Sequence, residues 1–288
     1  MNKIIVIVGP TGVGKTKLSI ELAKRYNAEI INGDSIQIYK NLNIGSAKAT
    51  KEEQEDIPHH LLDFKNIDEE YSVYDYQKDC RKKIDEIRSR GKNIIIVGGT
   101  GLYIKAALFD YKFNEEEKSN NNYDEYSNDE LYELLLKKEP NTIIHKNNRQ
   151  RVIRAIEKDG IEDNNNSNKL LYDAIFIGLT TNRDNLYNII NNRVDKMMEK
   201  GLVEETRELY NKFPNSKALN TAIGYKELIS YINDSLTLND AIDLIKKNSR
   251  RYAKRQFTWF NNQMNVNWFD VNYENYNETI MNVAKKCD

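Results

Sequence analysis

The residues whose types and spacing point most directly to chemistry lie near the N-terminus, in the stretch GPTGVGKT. It fits the pattern Gly-x4-Gly-Lys-Thr, in which glycines let backbone amides turn inward around an anion and the following helix adds its positive N-terminus. In this pattern Lys15 bridges phosphate oxygens and the Thr16 hydroxyl is a ligand of Mg²⁺. The motif predicts a bound diphosphate without specifying which one. The residues of this predicted phosphate loop are Gly9, Pro10, Thr11, Gly12, Val13, Gly14, Lys15 and Thr16.

The segments around this loop alternate between strand and helix patterns. Ile4–Val8 is an unbroken apolar run of strand length, and Lys17–Tyr26 has the apolar spacing of a helix. Such alternation predicts an α/β fold, a P-loop NTPase-like doubly wound parallel sheet whose ligands lie beyond the carboxyl ends of the strands. The further predicted elements are strands at Glu29–Ile31, Asn93–Val97 and Ile175–Leu179 and a helix at Tyr74–Arg90.

Two strand ends carry the next candidate residues. An NTPase usually has a second apolar strand that ends in an Asp, but Asn93–Val97 is followed by Gly98-Gly99-Thr100-Gly101, which weakens the ATPase interpretation. Asp34 follows the second strand, and spacing alone leaves it open as a general base or as the residue that closes an Asx turn. Because these strand ends share one edge of a parallel sheet, the phosphate loop, Asp34 and Thr100 are predicted to converge in one crevice.

Composition limits the function classes. The formal net charge is -1, so no global field attracts the chain to nucleic acid or membrane, and any basic surface must be local. Cys80 and Cys287 have neither metal-type nor redox spacing, which together with the N-terminal phosphate loop predicts a reduced, cytoplasmic protein. The sequence has no signal-peptide pattern and no apolar stretch near the roughly 20 residues that span a bilayer, so no membrane partner is expected.

The middle of the chain has a different character. Asn-rich stretches at Asn120–Asn122 and Asn164–Asn166 surround helical patterns at Asn128–Lys138 and Asn148–Lys158. This composition predicts a small helical insertion domain, residues 113–173, with flexible borders, in a catalytic core of residues 1–112 plus 174–288. From Leu186 to the end the pattern is mostly that of amphipathic helices.

At this point the sequence resembles a known family, the tRNA dimethylallyltransferases or tRNA isopentenyltransferases, of the bacterial type. The resemblance implies transfer of the dimethylallyl group from dimethylallyl diphosphate to N6 of the adenosine immediately 3′ of the anticodon, in tRNAs that read codons beginning with U, with release of pyrophosphate. The insertion domain is then expected to contact the anticodon stem-loop. The matching blocks are GPTGVGKT, INGDSIQIYKNLNIGSAK, IPHHLLDF, YSVYDYQKDC, IIIVGGTGLYIKAAL, NRQRVIRAIE, NRVDKMMEKGLVEE, AIGYKEL and RRYAKRQFTWF.

The resemblance also implies roles for individual residues. Asp34 matches the base that takes a proton from the adenine amine, and Arg193 matches an arginine that contacts the diphosphate. Thr11 and Thr100 match hydroxyls around the diphosphate and the acceptor amine, so Asp34, Thr16, Arg193 and Thr100 are the catalytic candidates. The residues expected to contact tRNA are Asp34, Ser35, Ile36, Gln37, Thr100, Gln150, Arg251, Lys254 and Arg255.

The basic run Lys246–Gln256 is the densest in the chain. As a helix it would place Lys247, Arg251 and Lys254 along one face, an arrangement that suits phosphate contacts. Such a run is otherwise an ordinary solvated face, and the matched block favours tRNA.

Three other functions remain open from the sequence. A related prenyltransferase acting on free AMP, ADP or ATP would share Asp34 and the phosphate loop but would need neither the basic helix nor the insertion. A P-loop kinase of a small metabolite conflicts with the GGTGLY block. A non-catalytic RNA-binding or structural protein conflicts with the intact Lys15-Thr16 pair. Mg²⁺ is the expected cofactor, and a monomer is the expected state.

Overall fold

The computed structural model describes residues 3–113, 122–157 and 168–288. In these ranges the strands form one parallel sheet. They are β1 (Ile4–Val8), β2 (Ala28–Asn32), β3 (His59–His60), β4 (Asn93–Val97), β5 (Ala174–Thr180) and β6 (Asn267–Asp270). Their spatial order is β3-β2-β4-β1-β5-β6, so β4 lies between β1 and β2, while β5 and β6 extend the sheet on the other side of β1. The predicted α/β doubly wound fold is confirmed.

The predicted strands all occur, and the structure adds two at the edges of the sheet. β3 is two residues long, too short for a periodic signal, and it pairs with β2 through Ile30 opposite His59. β6 is a four-residue exception in the region from Leu186 onward, which is mostly helical as predicted. Its pairing with β5 aligns Gly178 with Trp268, a contact between distant segments that no local pattern encodes.

The helices surround the sheet. The predicted helices Lys17–Tyr26 and Tyr74–Arg90 are confirmed to within two residues at each end. In chain order the helices are α1 (Lys15–Tyr26), α2 (Lys51–Gln54), α3 (Val73–Ser89), α4 (Gly101–Leu108), α5 (Asn128–Lys138), α6 (Arg149–Glu157), α7 (Arg183–Glu199), α8 (Leu202–Lys212), α9 (Lys217–Thr221), α10 (Tyr225–Ile232), α11 (Leu238–Gln263) and α12 (Tyr276–Cys287). No helix in the described ranges is long and apolar enough to cross a bilayer.

The core explains why β1 is an unbroken apolar run. Along this strand, Ile4 and Val6 face one buried cluster, which includes residues of α3 and α4. Ile5 and Ile7 face a second cluster, which includes residues of α1 and α12. Because successive strand residues point to opposite faces and both faces are covered, every position must be apolar. A third cluster joins α7, α8, α10 and α11 to the segment after β2.

The chain divides into two compact units, residues up to Asp110 with those from Lys169, and Tyr111–Asn168. The second unit contains α5 and α6, which pack through Leu131 and Val152. The predicted helix Asn128–Lys138 is confirmed; of the helix predicted at Asn148–Lys158, Arg149–Glu157 is helical and the final residue lies outside the described ranges. Most of the two Asn-rich stretches also lies outside them. The assignment of the insertion as a tRNA-contacting domain stays a prediction.

Candidate active site

The phosphate loop joins β1 to α1 through backbone conformations that side chains rarely adopt. Gly12 and Gly14 have φ values of 90° and 94°. Gly9 has a φ of 136°, and a Cβ at this position would overlap the carbonyl oxygen of Leu179 on β5. α1 begins after Gly14 without a side-chain cap, so its first amides stay available to an anion. The loop therefore has the geometry of an anion cradle, with Val13 buried beneath it.

Lys15 lies against this loop. Its Nζ donates hydrogen bonds to the carbonyls of Gly9 (2.9 Å) and Pro10 (2.8 Å). Burial, reinforced by the positive charge of Arg193 and opposed by the negative charge of Asp34, lowers the pKa of Lys15 to about 7. Because an anion would favour the charged ammonium, the site is electrostatically prepared for a diphosphate.

Asp34 follows β2 and forms a tight turn with its own side chain. Its Oδ1 accepts hydrogen bonds from the amides of Ile36 (2.9 Å) and Gln37 (3.4 Å), so the Asx-turn interpretation is confirmed. Asn32 supports the turn by bonding the amide and the carbonyl of Asp34. Because both turn bonds end on Oδ1, the second carboxylate oxygen takes no part in the turn, and the use of Asp34 as a base remains compatible with it.

Thr100 is held next to Asp34 by a short bridge between two strand-end loops. Its Oγ1 accepts a hydrogen bond from the Ser35 amide (3.0 Å) and lies 3.2 Å from the Ser35 hydroxyl. The Thr100 amide in turn donates to the carbonyl of Gly33 (3.1 Å). A Cβ at Gly98 would overlap the backbone of Gly33, so the close approach of the two loops requires a glycine there.

One cavity of about 300 Å³ in the first compact unit is lined by two of the four predicted catalytic residues, Asp34 and Arg193. Its polar part faces an apolar part formed by Ile190, Val194 and Met197 of α7 and by Ile245 of α11. Such a combination suits a ligand with a charged head and a short apolar tail. The predicted site residues in its lining are Thr11, Asp34, Ser35, Ile36, Arg193 and Arg255.

Arg193 reaches this cavity from α7. Burial lowers the pKa of Arg193, while the carboxylates of Asp34 and Glu53 oppose that shift. Arg193 and Asp34 both shift the pKa of Lys15, and Asp34 also shifts the pKa of Arg193, so these three groups form one electrostatic cluster. The convergence of phosphate loop, Asp34 and Thr100 predicted from strand order is what the fold produces.

Other predicted residues lie elsewhere. The side-chain Nε2 of Gln37 donates to the carbonyls of Ser46 (3.0 Å) and Ala47 (3.4 Å), so this side chain supports the neighbouring loop. Gln150 is exposed in the first turn of α6 in the second compact unit. Thr16, Arg251 and Lys254 have exposed side chains.

Sequence reasoning missed two residues of α11 that join the site. The side chain of Gln256 bonds both the Thr11 amide (3.1 Å) and the Gly99 carbonyl (3.0 Å). Tyr252 lines the cavity; burial raises the pKa of its hydroxyl, and hydrogen bonds with Thr100 and Gln256 oppose that rise. A helical projection of the basic run gives a signal for Gln256, because it shares the apolar face of Ala253 and Phe260.

Comparison with known proteins gives the family. A family model described as IPP transferase matches residues 37–263. The tRNA dimethylallyltransferase of Anoxybacillus flavithermus is 50% identical over 285 residues, which are 94% of this chain and 91% of that protein. The tRNA dimethylallyltransferase of Macrococcus caseolyticus is 50% identical over 287 residues, covering 94% of this chain and 92% of that protein.

Solved structures agree with these relatives. The full-length tRNA isopentenylpyrophosphate transferase of Bacillus halodurans aligns with a TM-score of 0.78 and 42% identity, covering 100% of this chain and 96% of that chain. A eukaryotic dimethylallyltransferase acting on tRNA aligns with a TM-score of 0.79 and 32% identity, covering 94% and 74%. From the family model, the relatives and the shared fold, the chain belongs to the IPP transferase family.

Proposed function

We propose that this protein transfers the dimethylallyl group of dimethylallyl diphosphate to the exocyclic N6 of the adenosine immediately 3′ of the anticodon, in tRNAs that read codons beginning with U. The C–O bond to the diphosphate breaks, a C–N bond forms, and the amine loses a proton, so the products are prenylated tRNA, pyrophosphate and a proton. The single observation that carries this proposal is one cavity lined by Thr11 of the phosphate loop, Asp34 and Arg193.

The donor half of the reaction needs stabilisation of the leaving group. As the allylic carbon becomes positive, negative charge accumulates on the pyrophosphate, and fixed positive groups stabilise it best where water is excluded. The positive groups proposed to stabilise the pyrophosphate are Lys15, Arg193 and the first amides of α1. The apolar side chains of Ile190, Val194 and Met197 offer the prenyl tail a surface without nucleophiles.

The residues present fit a Mg²⁺ ion. Thr16 offers an exposed hydroxyl in the first turn of α1 beside the glycine cradle, and diphosphate oxygens would complete a set of hard oxygen ligands. When bound, Mg²⁺ supplies further positive charge to the departing pyrophosphate.

The acceptor half needs a base. The adenine amine is a weak nucleophile because its lone pair is delocalised into the ring, so proton removal must accompany attack. Asp34 combines a fixed backbone with an oxygen outside the turn bonds, which suits this role. Thr100 lies beside it and can hold the amine or its proton in line.

The target base must leave the stacked anticodon loop to reach this cavity. Lys247, Arg251 and Lys254 lie exposed on α11, where phosphate contacts would anchor the stem-loop. Arg255 belongs to the cavity lining and Gln150 to the second compact unit, and both are proposed to contact the RNA. The relatives named above favour tRNA over a free nucleotide as acceptor.

The test is transfer of labelled dimethylallyl diphosphate, with Mg²⁺, to an unmodified tRNA that reads codons beginning with U. Parallel reactions contain a tRNA with guanosine in place of the adenosine 3′ of the anticodon, or free AMP and ATP. Label only in the matching tRNA supports the proposal. Label in the free nucleotides, or ATP turnover without prenyl transfer, overturns it.

A further inference from the structure

Gln256 is a buried polar residue between the two loops that bound the cavity. Its side chain is on α11, and the residue is only 4% exposed. Oε1 accepts the hydrogen bond from the Thr11 amide, and Nε2 donates to the Gly99 carbonyl. The carboxamide therefore spans from the phosphate loop after β1 to the glycine loop after β4.

The carboxamide and the two loops are tightly packed. A Cβ at Gly99 would overlap Nε2 of Gln256, and one at Gly98 would overlap the backbone of Gly33. The chemistry of the two partners also fixes the orientation of the amide, since an N–H requires an acceptor and a carbonyl requires a donor. A carboxamide provides an acceptor oxygen and a donor nitrogen on the same carbon, whereas a thioether or a carboxylate provides no donor.

The two loops carry the groups of the proposed reaction. Thr11 belongs to the cradle and lines the cavity with Asp34. Thr100 directly follows Gly99. Tyr252, one turn before Gln256 on α11, has a hydroxyl that hydrogen-bonds with both Thr100 and Gln256. A shift of the carboxamide would therefore move donor-side and acceptor-side groups relative to each other.

We propose that Gln256 is a positioning residue that sets the separation of the phosphate loop from the loop after β4, and with it the reach from the prenyl donor to the acceptor amine. This inference rests on the proposed function. Gln256 does not touch reacting atoms in this role; it acts through Thr11 and Gly99. Because misplacement of reacting groups by about 1 Å costs on the order of 100-fold in rate, loss of both bonds is expected to lower kcat by about 10- to 100-fold.

The experiment compares Gln256→Met, which keeps size but makes neither bond, with Gln256→Glu, whose ionised form can accept from Thr11 but cannot donate to Gly99. Single-turnover rates of prenyl transfer to tRNA are measured from about pH 5 to pH 8, because burial raises the pKa of a carboxyl from its usual value of about 4.3 toward this range. Each variant's rate is divided by the wild-type rate at the same pH. For Gln256→Glu this ratio should rise as the pH falls, because the protonated carboxyl regains a donor.

Gln77→Met is the matched control. Gln77 is also buried, and its Nε2 donates to the Ala106 carbonyl (2.8 Å), but it joins α3 to α4 away from the cavity. Both Met variants should lose stability, while only Gln256→Met should lose kcat with unchanged tRNA affinity. Equal rates for the two variants, or a flat pH ratio for Gln256→Glu, would overturn the inference. Absence of transfer by the wild-type protein would instead refute the proposed function.

Discussion

Replacing Asp34 by Asn separates its proposed role as a general base from its role in the Asx turn. The Asn carbonyl can still accept from the Ile36 and Gln37 amides, which Oδ1 of Asp34 binds at 2.9 and 3.4 Å, so the turn should persist. The amide has no basic oxygen, however, and a positioned general base contributes roughly 10²- to 10⁴-fold. We therefore expect the single-turnover rate to fall by that factor, which corresponds to about 3–5 kcal/mol in the activation free energy.

The same substitution also removes a negative charge beside Lys15, and this side effect has a known sign. Asp34 raises the pKa of Lys15, so its loss should push the lysine further below 7 and weaken donor binding at neutral pH. Rates are therefore measured at saturating donor and about pH 6, where the ammonium form predominates.

Asp34→Ala provides the comparison because it also removes the turn bonds. It should cost about 1–2 kcal/mol in the free energy of unfolding, measured in urea, whereas Asp34→Asn should cost less. The base assignment is refuted if Asp34→Asn transfers the prenyl group within about threefold of the wild-type rate, well inside the loss expected for a general base.

Three further predictions concern charge around the site. Because the pKa of Lys15 is about 7, the free protein loses the ammonium above that pH, and the Kd for dimethylallyl diphosphate should rise about tenfold from about pH 6 to about pH 8, as calorimetry would measure. Replacing Lys247, Arg251 and Lys254 by Ala should weaken tRNA binding and reduce the salt slope of log Kd by about two. Glu205→Ala should lower the free energy of unfolding in urea by about 2–3 kcal/mol, since the carboxylate accepts the Ile44 and Gly45 amides and the Tyr225 hydroxyl.

Each of these has its own control. Lys15→Arg keeps a permanent charge, so its Kd ratio to wild type should change with pH; a constant ratio would contradict the lysine assignment. Replacing the exposed Lys285 and Lys286 of α12 by Ala should leave the salt slope unchanged, and an equal loss would make the α11 effect nonspecific. Glu204→Ala removes an exposed neighbouring carboxylate, and a cost equal to that of Glu205→Ala would refute the role of the loop contacts.

The parts of the fold that follow local rules could be predicted. β1 is apolar on both faces, and the glycines and Lys15 that follow it specify the turn into α1. The convergence of the phosphate loop with the loops that carry Asp34 and Thr100 could be predicted because parallel strands end at the same edge of the sheet. The Asx turn at Asp34 was one of two alternatives, and its geometry depends on Asn32, which is near in sequence.

The features of the fold and of the site that could not be predicted from the sequence depend on contacts between distant residues. Gln256 bonds an amide 245 positions away, and no pattern around either residue encodes that pairing. β6 has only four residues, Asn267–Asp270, and polar and apolar types do not alternate along it, so its strand character comes from pairing with β5. Arg193 was identified as a candidate only through the family resemblance, because its position near Asp34 depends on how α7 packs and not on sequence spacing.

The glycines after β4 explain why this strand does not end in the Asp that usually accompanies a phosphate loop in NTPases. Gly98 packs on the backbone of Gly33, and Gly99 packs on Gln256, so a carboxylate side chain at either position would displace the neighbouring loop. That close approach is also what brings the Thr100 amide to the Gly33 carbonyl and the Ser35 amide to the Thr100 hydroxyl. A site for NTP hydrolysis needs the carboxylate near its metal. A site that joins a diphosphate donor to a second substrate needs the acceptor loop there instead, and the glycine pair makes room for it.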